Sequence, residues 1–267
     1  MSTSTTTPLL VVTLLFRSKP GFESPPHIVN LDLVASADHC PVFYFIGDSI
    51  TEHASNPDLS GFITLLQKHY VRSIDTINRG LSGYNTKWVR EHAVPIYAKE
   101  LQFQYSASFV TVFLGANDAV LKDGPDKAQY VSLEDYRANL LHILHTVKPL
   151  LPPHGKILLI TLPAVINKGR WGDRSNASAE KYAQDCVEVA QAENVHVLDL
   201  HTYFNTTYPK EEDRKACFVD GLHFSAKGNK DVGKLLCVAI NGIFDKEGLD
   251  RFNKWQLPNW HDFVHTT

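Results

Sequence analysis

The chain has 267 residues, of which 43% are hydrophobic and 21% charged, and its formal net charge is −3 at pH 7 when its 13 histidines are neutral. This length fits one α/β domain or at most two small ones, and the composition supports a packed core and excludes wholesale disorder. Lysine and arginine are scattered, without a basic excess or a polybasic block, which argues against nucleic acid as a partner.

The first feature along the chain is an apolar run over residues 9–16. It is too short to span a bilayer, so no membrane span is expected. No Lys or Arg precedes it and Phe16-Arg17-Ser18-Lys19-Pro20 closes it, which departs from the charged start and small-residue cleavage site of a secretory signal. Residues 1–40 are Ser/Thr- and Pro-rich and read as an N-terminal extension; residues 41–267 read as the domain with its C-terminal tail. Cys40, Cys186, Cys217 and Cys237 show no C-x-x-C spacing, so neither a zinc site nor a thioredoxin-type motif is expected. Four cysteines are too few for a disulfide-held scaffold of this size. A reduced compartment, the cytoplasm, is the simpler location; secretion is the alternative if the N-terminal run acts as a signal. The triplets Asn176-Ala177-Ser178 and Asn205-Thr206-Thr207 match the glycosylation acceptor pattern, a match that often arises by chance.

From Pro41 onward, short β-branched runs alternate with longer amphipathic stretches. Strands are expected at 42–46, 73–78, 109–114, 156–162 and 195–200, most of them nearly continuous apolar runs of the kind buried on both faces of a parallel sheet. Helices are expected at 61–70, from Ser132 to Pro149, at 178–193 and at 226–244. Ser132-Leu133-Glu134-Asp135 supplies a capping pattern, Pro149 a stop, and Ser225 a cap for the last of these helices. Strand–helix alternation of this kind predicts a doubly wound α/β sheet. Beyond Asp245 a short helix-like stretch leads to Trp255 and Trp260, two rings not expected to stand in water.

Ligands gather at the carboxyl ends of such strands. Three of the expected strands end in unusual polar sets: Gly47-Asp48-Ser49, Asn78-Arg79-Gly80 and Gly115-Ala116-Asn117-Asp118. Ser49 is a candidate nucleophile, or else a helix cap. A neutral serine needs a base within hydrogen-bond reach, and Asp220-Gly221-Leu222-His223 offers one. With the two residues three apart, one helical turn would point Asp220 and His223 the same way, so that the carboxylate holds the imidazole tautomer; the plain alternative is a surface turn. An oxyanion would need donors already in place. The backbone N–H groups of Ser49 and Gly80 and the side-chain amide of Asn117 are the candidates, although Asn117 could equally be an ordinary turn residue. Asp48 and Asp118 read as supports for these loops. A G-x-S-x-G elbow in mid-chain, as in lipase-type hydrolases, is absent around Ser49.

Together these blocks resemble the SGNH (GDSL) hydrolase superfamily: Gly47-Asp48-Ser49, then Gly80, then Gly115-Ala116-Asn117-Asp118, then Asp220-Gly221-Leu222-His223. Within it, the stretches from Asn78 to Thr86 and from Phe113 to Ala119 look like the isoamyl acetate-hydrolysing esterases. The resemblance covers about residues 42–245. It implies a three-layer α/β/α fold around a flavodoxin-like five-stranded parallel sheet, and hydrolysis of short acetate-type esters through an acyl-enzyme, without metal or cofactor. An acyltransferase or deacetylase on the same site remains an alternative. So does a metal-dependent phosphoesterase using Asp48, Asn117, Asp118, Asp220 and His223, or a non-catalytic binding module. The expected partner is a small-molecule ester. Tyr84, Trp88, Trp171, Trp255 and Trp260 are candidates for its pocket or for plain packing, and the tail could cover the site or meet a second subunit, which leaves a homodimer open.

Overall fold

A computed structural model describes residues 40–167, 172–257 and 259–261. The expected N-terminal extension, apart from Cys40, and the pocket candidate Trp171 lie outside the described residues.

Five strands form one parallel sheet in the order β2-β1-β3-β4-β5: β1 Val42–Asp48, β2 Asp75–Leu81, β3 Ala107–Phe113, β4 Lys156–Ile160 and β5 His196–Leu198. The α-helices of five or more residues are α1 Ser49–His53, α2 Phe62–His69, α3 Val94–Phe103, α4 Leu133–Val147, α5 Asn176–Ala192, α6 Leu200–Thr207, α7 Glu211–Lys215, α8 Ala226–Ile243 and α9 Lys246–Asn253. Going from β1 to β2 the chain moves one way along the sheet; from β2 onward it moves the other way. Right-handed crossovers therefore put α2 on one face and α3, α4 and α5 on the opposite face. The packing agrees: α2 meets α8, while α3 meets α4 and α4 meets α5. The result is the expected α/β/α arrangement with its direction reversing between β1 and β3, where loops leaving those two strands diverge and open a crevice.

Local signals explain most element ends. The Ser132 hydroxyl accepts the Asp135 N–H (3.1 Å) and opens α4, while Pro149 lies in the tight turn just after it. Ser225 caps α8 as expected, and Ser175 caps α5, which starts at Asn176, two residues ahead of the expected start at 178. Helix α3 has no counterpart in the sequence reading: it continues directly from a π-helical turn over Val89–Ala93, and Pro95, which has no N–H to donate, stands just past that irregular turn. Strand β2 differs most, beginning two residues later than expected and running three further, through Gly80 to Leu81.

Every residue of β1 and β3 is buried. Phe43 sits at the centre of an aromatic cluster, edge-on to Tyr70, Phe109 and Phe252 at centroid distances of 5.1–5.4 Å. Phe252 thus ties α9 into the core. Past it, Trp255 lies under the Arg72 guanidinium (4.0 Å) and Gln256 donates its N–H to the Arg72 carbonyl. Arg72 precedes β2, so this part of the tail docks at the amino ends of the strands and does not cover their carboxyl ends. Contrary to expectation, Trp255 and Trp260 remain 45% and 64% exposed.

None of the four cysteines is bonded to another. The acceptor asparagines of the two glycosylation-like triplets are bonded to each other, Asn176 Nδ2 to Asn205 Oδ1 at 3.0 Å, and both lie in helices. No helix among the described residues is long and apolar enough to cross a membrane.

Candidate active site

The buried run of β1 stops at Asp48, whose Oδ1 accepts the Ile50 N–H (2.9 Å) and caps α1. Asp48 is therefore the cap, and Ser49 is the first helical residue, with its own N–H left without a helical acceptor. Helix α1 can begin directly on the sheet because two glycines lie beneath it. Gly47 and Gly80 pair across β1 and β2. A Cβ on Gly80 would stand 2.0 Å from the Glu52 nitrogen, and one on Gly47 would stand 2.0 Å from Thr51 Oγ1. Asn78 fastens the joint: its Nδ2 donates to the Thr51 carbonyl (2.8 Å) and to Ser55 Oγ (2.7 Å).

The histidine arrives on a pinched loop between α7 and α8. Phe218 and Phe224 bridge its ends, and Val219 donates its N–H to the His223 carbonyl at 2.9 Å. Inside the pinch, Asp220 Oδ1 accepts the N–H groups of Leu222 (3.0 Å) and His223 (2.9 Å), and Gly221 takes a φ of 96°. The expected helical turn is thus a carboxylate-held turn, which still brings residues three apart onto one side. Asp220 Oδ2 accepts the His223 Nδ1–H at 2.7 Å. That bond fixes the tautomer and leaves Nε2 to accept the Ser49 hydroxyl, also at 2.7 Å. Burial alone would raise the Asp220 carboxyl. The hydrogen bonds from the His223 ring and from two backbone N–H groups outweigh it and hold the group far below the usual carboxylate range.

After β3, Asn117 enters the crevice with its side chain held at both ends: Nδ2 donates to the Tyr84 carbonyl (2.8 Å), and Oδ1 accepts from Arg174 Nη2 (3.0 Å). Asp118 turns away from the cavity and accepts the N–H (3.0 Å) and hydroxyl of Thr86, which ties the β3 loop to the loop after β2. Its carboxyl is pushed up to about 7 by burial, against the Thr86 hydrogen bonds; Asp48 is likewise pushed up to about 6 by burial. Both aspartates act as supports, as the sequence reading expected.

Ser49, His223, Asn117, Gly83, Arg174 and Leu222 line one cavity of about 240 Å³. Gly80 does not reach it. Its N–H donates to Asn78 Oδ1 (2.8 Å), and the residue lies inside β2 beneath Glu52, so it cannot serve as an oxyanion donor. Gly83, three residues on, stands at the cavity wall with a φ of 80°, and its N–H has no partner among the described residues. The Tyr84 side chain is not part of the lining: the ring packs edge-on to Trp88 (6.2 Å), and the contribution of Tyr84 is its carbonyl. Arg174 carries no functional signal in the sequence, because a lone Asp173-Arg174 pair does not tell where it will fold. Among the described residues, no three His, Cys, Asp or Glu side chains are grouped to hold a metal ion. The carboxylates that the phosphoesterase alternative needs are committed instead to Ile50, Thr86 and the His223 turn.

Comparison with known proteins places the same blocks in a wider setting. The family model described as GDSL-like lipase/acylhydrolase matches residues 45–230. The isoamyl acetate-hydrolyzing esterase 1 homolog of Rattus norvegicus is 34% identical over 237 residues, 85% of this chain and 89% of the relative. A GDSL esterase/lipase of Arabidopsis thaliana is 34% identical over 203 residues, 71% of this chain and 81% of the relative. Among solved structures, the lipase/acylhydrolase from Enterococcus faecalis superposes with a TM-score of 0.56 at 25% identity, covering 76% of this chain and 96% of that one. An acetyl xylan esterase shares the fold with a TM-score of 0.60 at 19% identity, over 74% of this chain and 99% of its own.

Proposed function

The chain belongs to the GDSL-like lipase/acylhydrolase family of carboxylic ester hydrolases, and on that premise we propose that it works through an acyl-enzyme on Ser49. The observation that carries this reading is the contact between Ser49 Oγ and His223 Nε2, 2.7 Å across 174 positions of sequence. His223 removes the hydroxyl proton as Oγ attacks the ester carbonyl. Asp220, kept ionised by its three donors, holds the imidazole in place and stabilises the imidazolium that forms.

Negative charge then develops on the carbonyl oxygen. The Ser49 N–H, the Gly83 N–H and the Asn117 Nδ2 hydrogen not used by Tyr84 are the donors assigned to it. As the tetrahedral intermediate collapses, His223 returns the proton to the departing alkoxide and the alcohol leaves. A water molecule repeats the sequence on the acyl-serine and releases the acid.

The substrate class is a short acyl ester, with acetates of medium-chain alcohols first among them. The relatives named isoamyl acetate-hydrolyzing esterase support this choice. So does a cavity of about 240 Å³, smaller than the roughly 300–1,000 Å³ of pockets for drug-sized ligands. A series of p-nitrophenyl esters from acetate to laurate, with Ser49→Ala as control, tests both parts. Turnover should be highest at the short end, and the variant should lose on the order of 10⁴-fold or more while remaining folded. Near-parental activity in Ser49→Ala would reject the acyl-serine mechanism; a preference for laurate would reject the short-acyl assignment.

A further inference from the structure

We propose that Arg174 is a positioning residue for the oxyanion donor Asn117, a role that rests on the serine-esterase reading above. Its side chain is only 10% exposed, an unusual place for a guanidinium, and three of its nitrogens have fixed partners. Nη1 donates to Asp173 Oδ2 (2.7 Å), Nε to the Ala116 carbonyl (2.8 Å) and Nη2 to Asn117 Oδ1 (3.0 Å). The planar fork thus grips two consecutive residues at the end of β3, one by its backbone and the next by its side chain.

An asparagine amide has two ends of nearly equal shape, and which end faces which neighbour must be imposed from outside. Here a cation stands at one end and the Tyr84 carbonyl at the other. Flipping the amide would set NH₂ against the guanidinium and oxygen against oxygen, so one orientation survives. That orientation leaves the second Nδ2–H for the cavity that Ser49 also lines. The cation on Oδ1 also polarises the amide and makes its N–H groups better donors. Arg174 has no hydrogen bond to Ser49, His223 or Asp220. A positioning effect should therefore run through Asn117 and appear in the chemical step, whereas a direct contact with substrate, which Arg174 could make from the cavity wall, would appear in KM.

Double-mutant kinetics on p-nitrophenyl acetate test this. Removing an oxyanion donor costs roughly 10²–10³-fold in kcat, so Asn117→Ala sets the ceiling. Arg174→Lys keeps the charge but loses the fork; it should lower kcat by roughly 10–100-fold and move KM by less than about 3-fold. In the Asn117→Ala background the same substitution should change kcat by less than about 3-fold, because nothing is left to position. An equal fractional loss in both backgrounds would overturn the assignment, as would a loss confined to KM or no loss at all. Should Arg174→Lys fail to fold, the pair Asp173→Asn with Arg174→Gln, which leaves no buried carboxylate unpartnered, is measured in the same two backgrounds and decides by the same criterion. An active Ser49→Ala protein would defeat the underlying mechanism instead; an inactive one with additive Arg174 losses defeats only this proposal.

Discussion

Gly80→Ala adds one methyl group at the joint between β2 and α1. Gly80 does not have a positive φ, so alanine meets no conformational penalty there, and the whole effect is one of space. The new Cβ would stand 2.0 Å from the Glu52 nitrogen and 2.5 Å from its Cα. Both are backbone atoms that no rotamer change can move. Relief requires α1 to lift or β2 to shift, and α1 carries Ser49. Overpacking typically costs about 1–3 kcal/mol, and rigid neighbours place this site at the upper end. At about 2–4 °C per kcal/mol for a domain of this size, the melting temperature should fall by ~6–12 °C. Turnover of p-nitrophenyl acetate should fall with it, because the nucleophile is displaced. Gly83→Ala is the comparison: its Cβ meets only Gln129 Nε2, at 3.4 Å, and the φ of 80° is the main cost, about 1–2 kcal/mol. Differential scanning fluorimetry alongside the esterase assay reads both. A Gly80→Ala protein melting within ~2 °C of the parent would refute the packing argument, and Gly80 would return as a candidate donor.

Two further substitutions probe the supporting carboxylates. Asp220→Asn cannot accept the His223 Nδ1–H as a carboxylate does, and kcat should fall about 10⁴-fold with the fold retained. Because the Asp220 carboxyl lies below its usual range in the folded protein, its contribution to stability is complete above about pH 4 and is lost as pH falls through the lowered value. Melting temperatures at about pH 6 and pH 3 should therefore differ less in Asp220→Asn than in the parent. Asp118 has the opposite sign: its folded value is pushed up to about 7, so the stability linked to its proton is complete below about pH 4 and declines as pH rises toward that value. Asp118→Asn keeps an acceptor for Thr86 without the charge. Its melting temperature relative to the parent should climb between about pH 4 and pH 7; a flat difference would show that the buried carboxyl is not raised.

The sheet is legible in the sequence, and so are the two residues, Ser49 and His223, that the fold brings into contact. Strand β1 opens as a continuous apolar run, and its expected end lies within two residues of the observed one. Ser49 and His223 stand in short polar blocks that each have a plain reading, a helix cap and a surface turn, and it is their combination that points to one site. The sequence is least informative at β2, and one cause accounts for the expected place of Gly80. An edge strand of partly exposed residues has no clean apolar run, so the expected strand stops at Asn78, and Arg79 and Gly80 read as its end when the strand runs on through them to Leu81. The loop begins at Ser82, which brings Gly83 and not Gly80 to the cavity. Register information of this kind comes from pairing with β1, a non-local fact. Arg174 shows the same limit more sharply, since its importance lies in a partner 57 residues away. The tail tryptophans mislead for a different reason: a large ring usually seeks cover, yet Trp255 is held from one side by Arg72 and stays half open.

The Ser49 hydroxyl follows the first strand of the sheet, and its partner His223 comes on the loop just before the long helix α8 that packs against α2. No shorter stretch of chain contains both. On the proposed mechanism, chemistry waits until that late loop has docked, so a partly synthesised chain that ends before His223 holds a hydroxyl without its base. Turnover in such an architecture doubles as a readout of completed assembly.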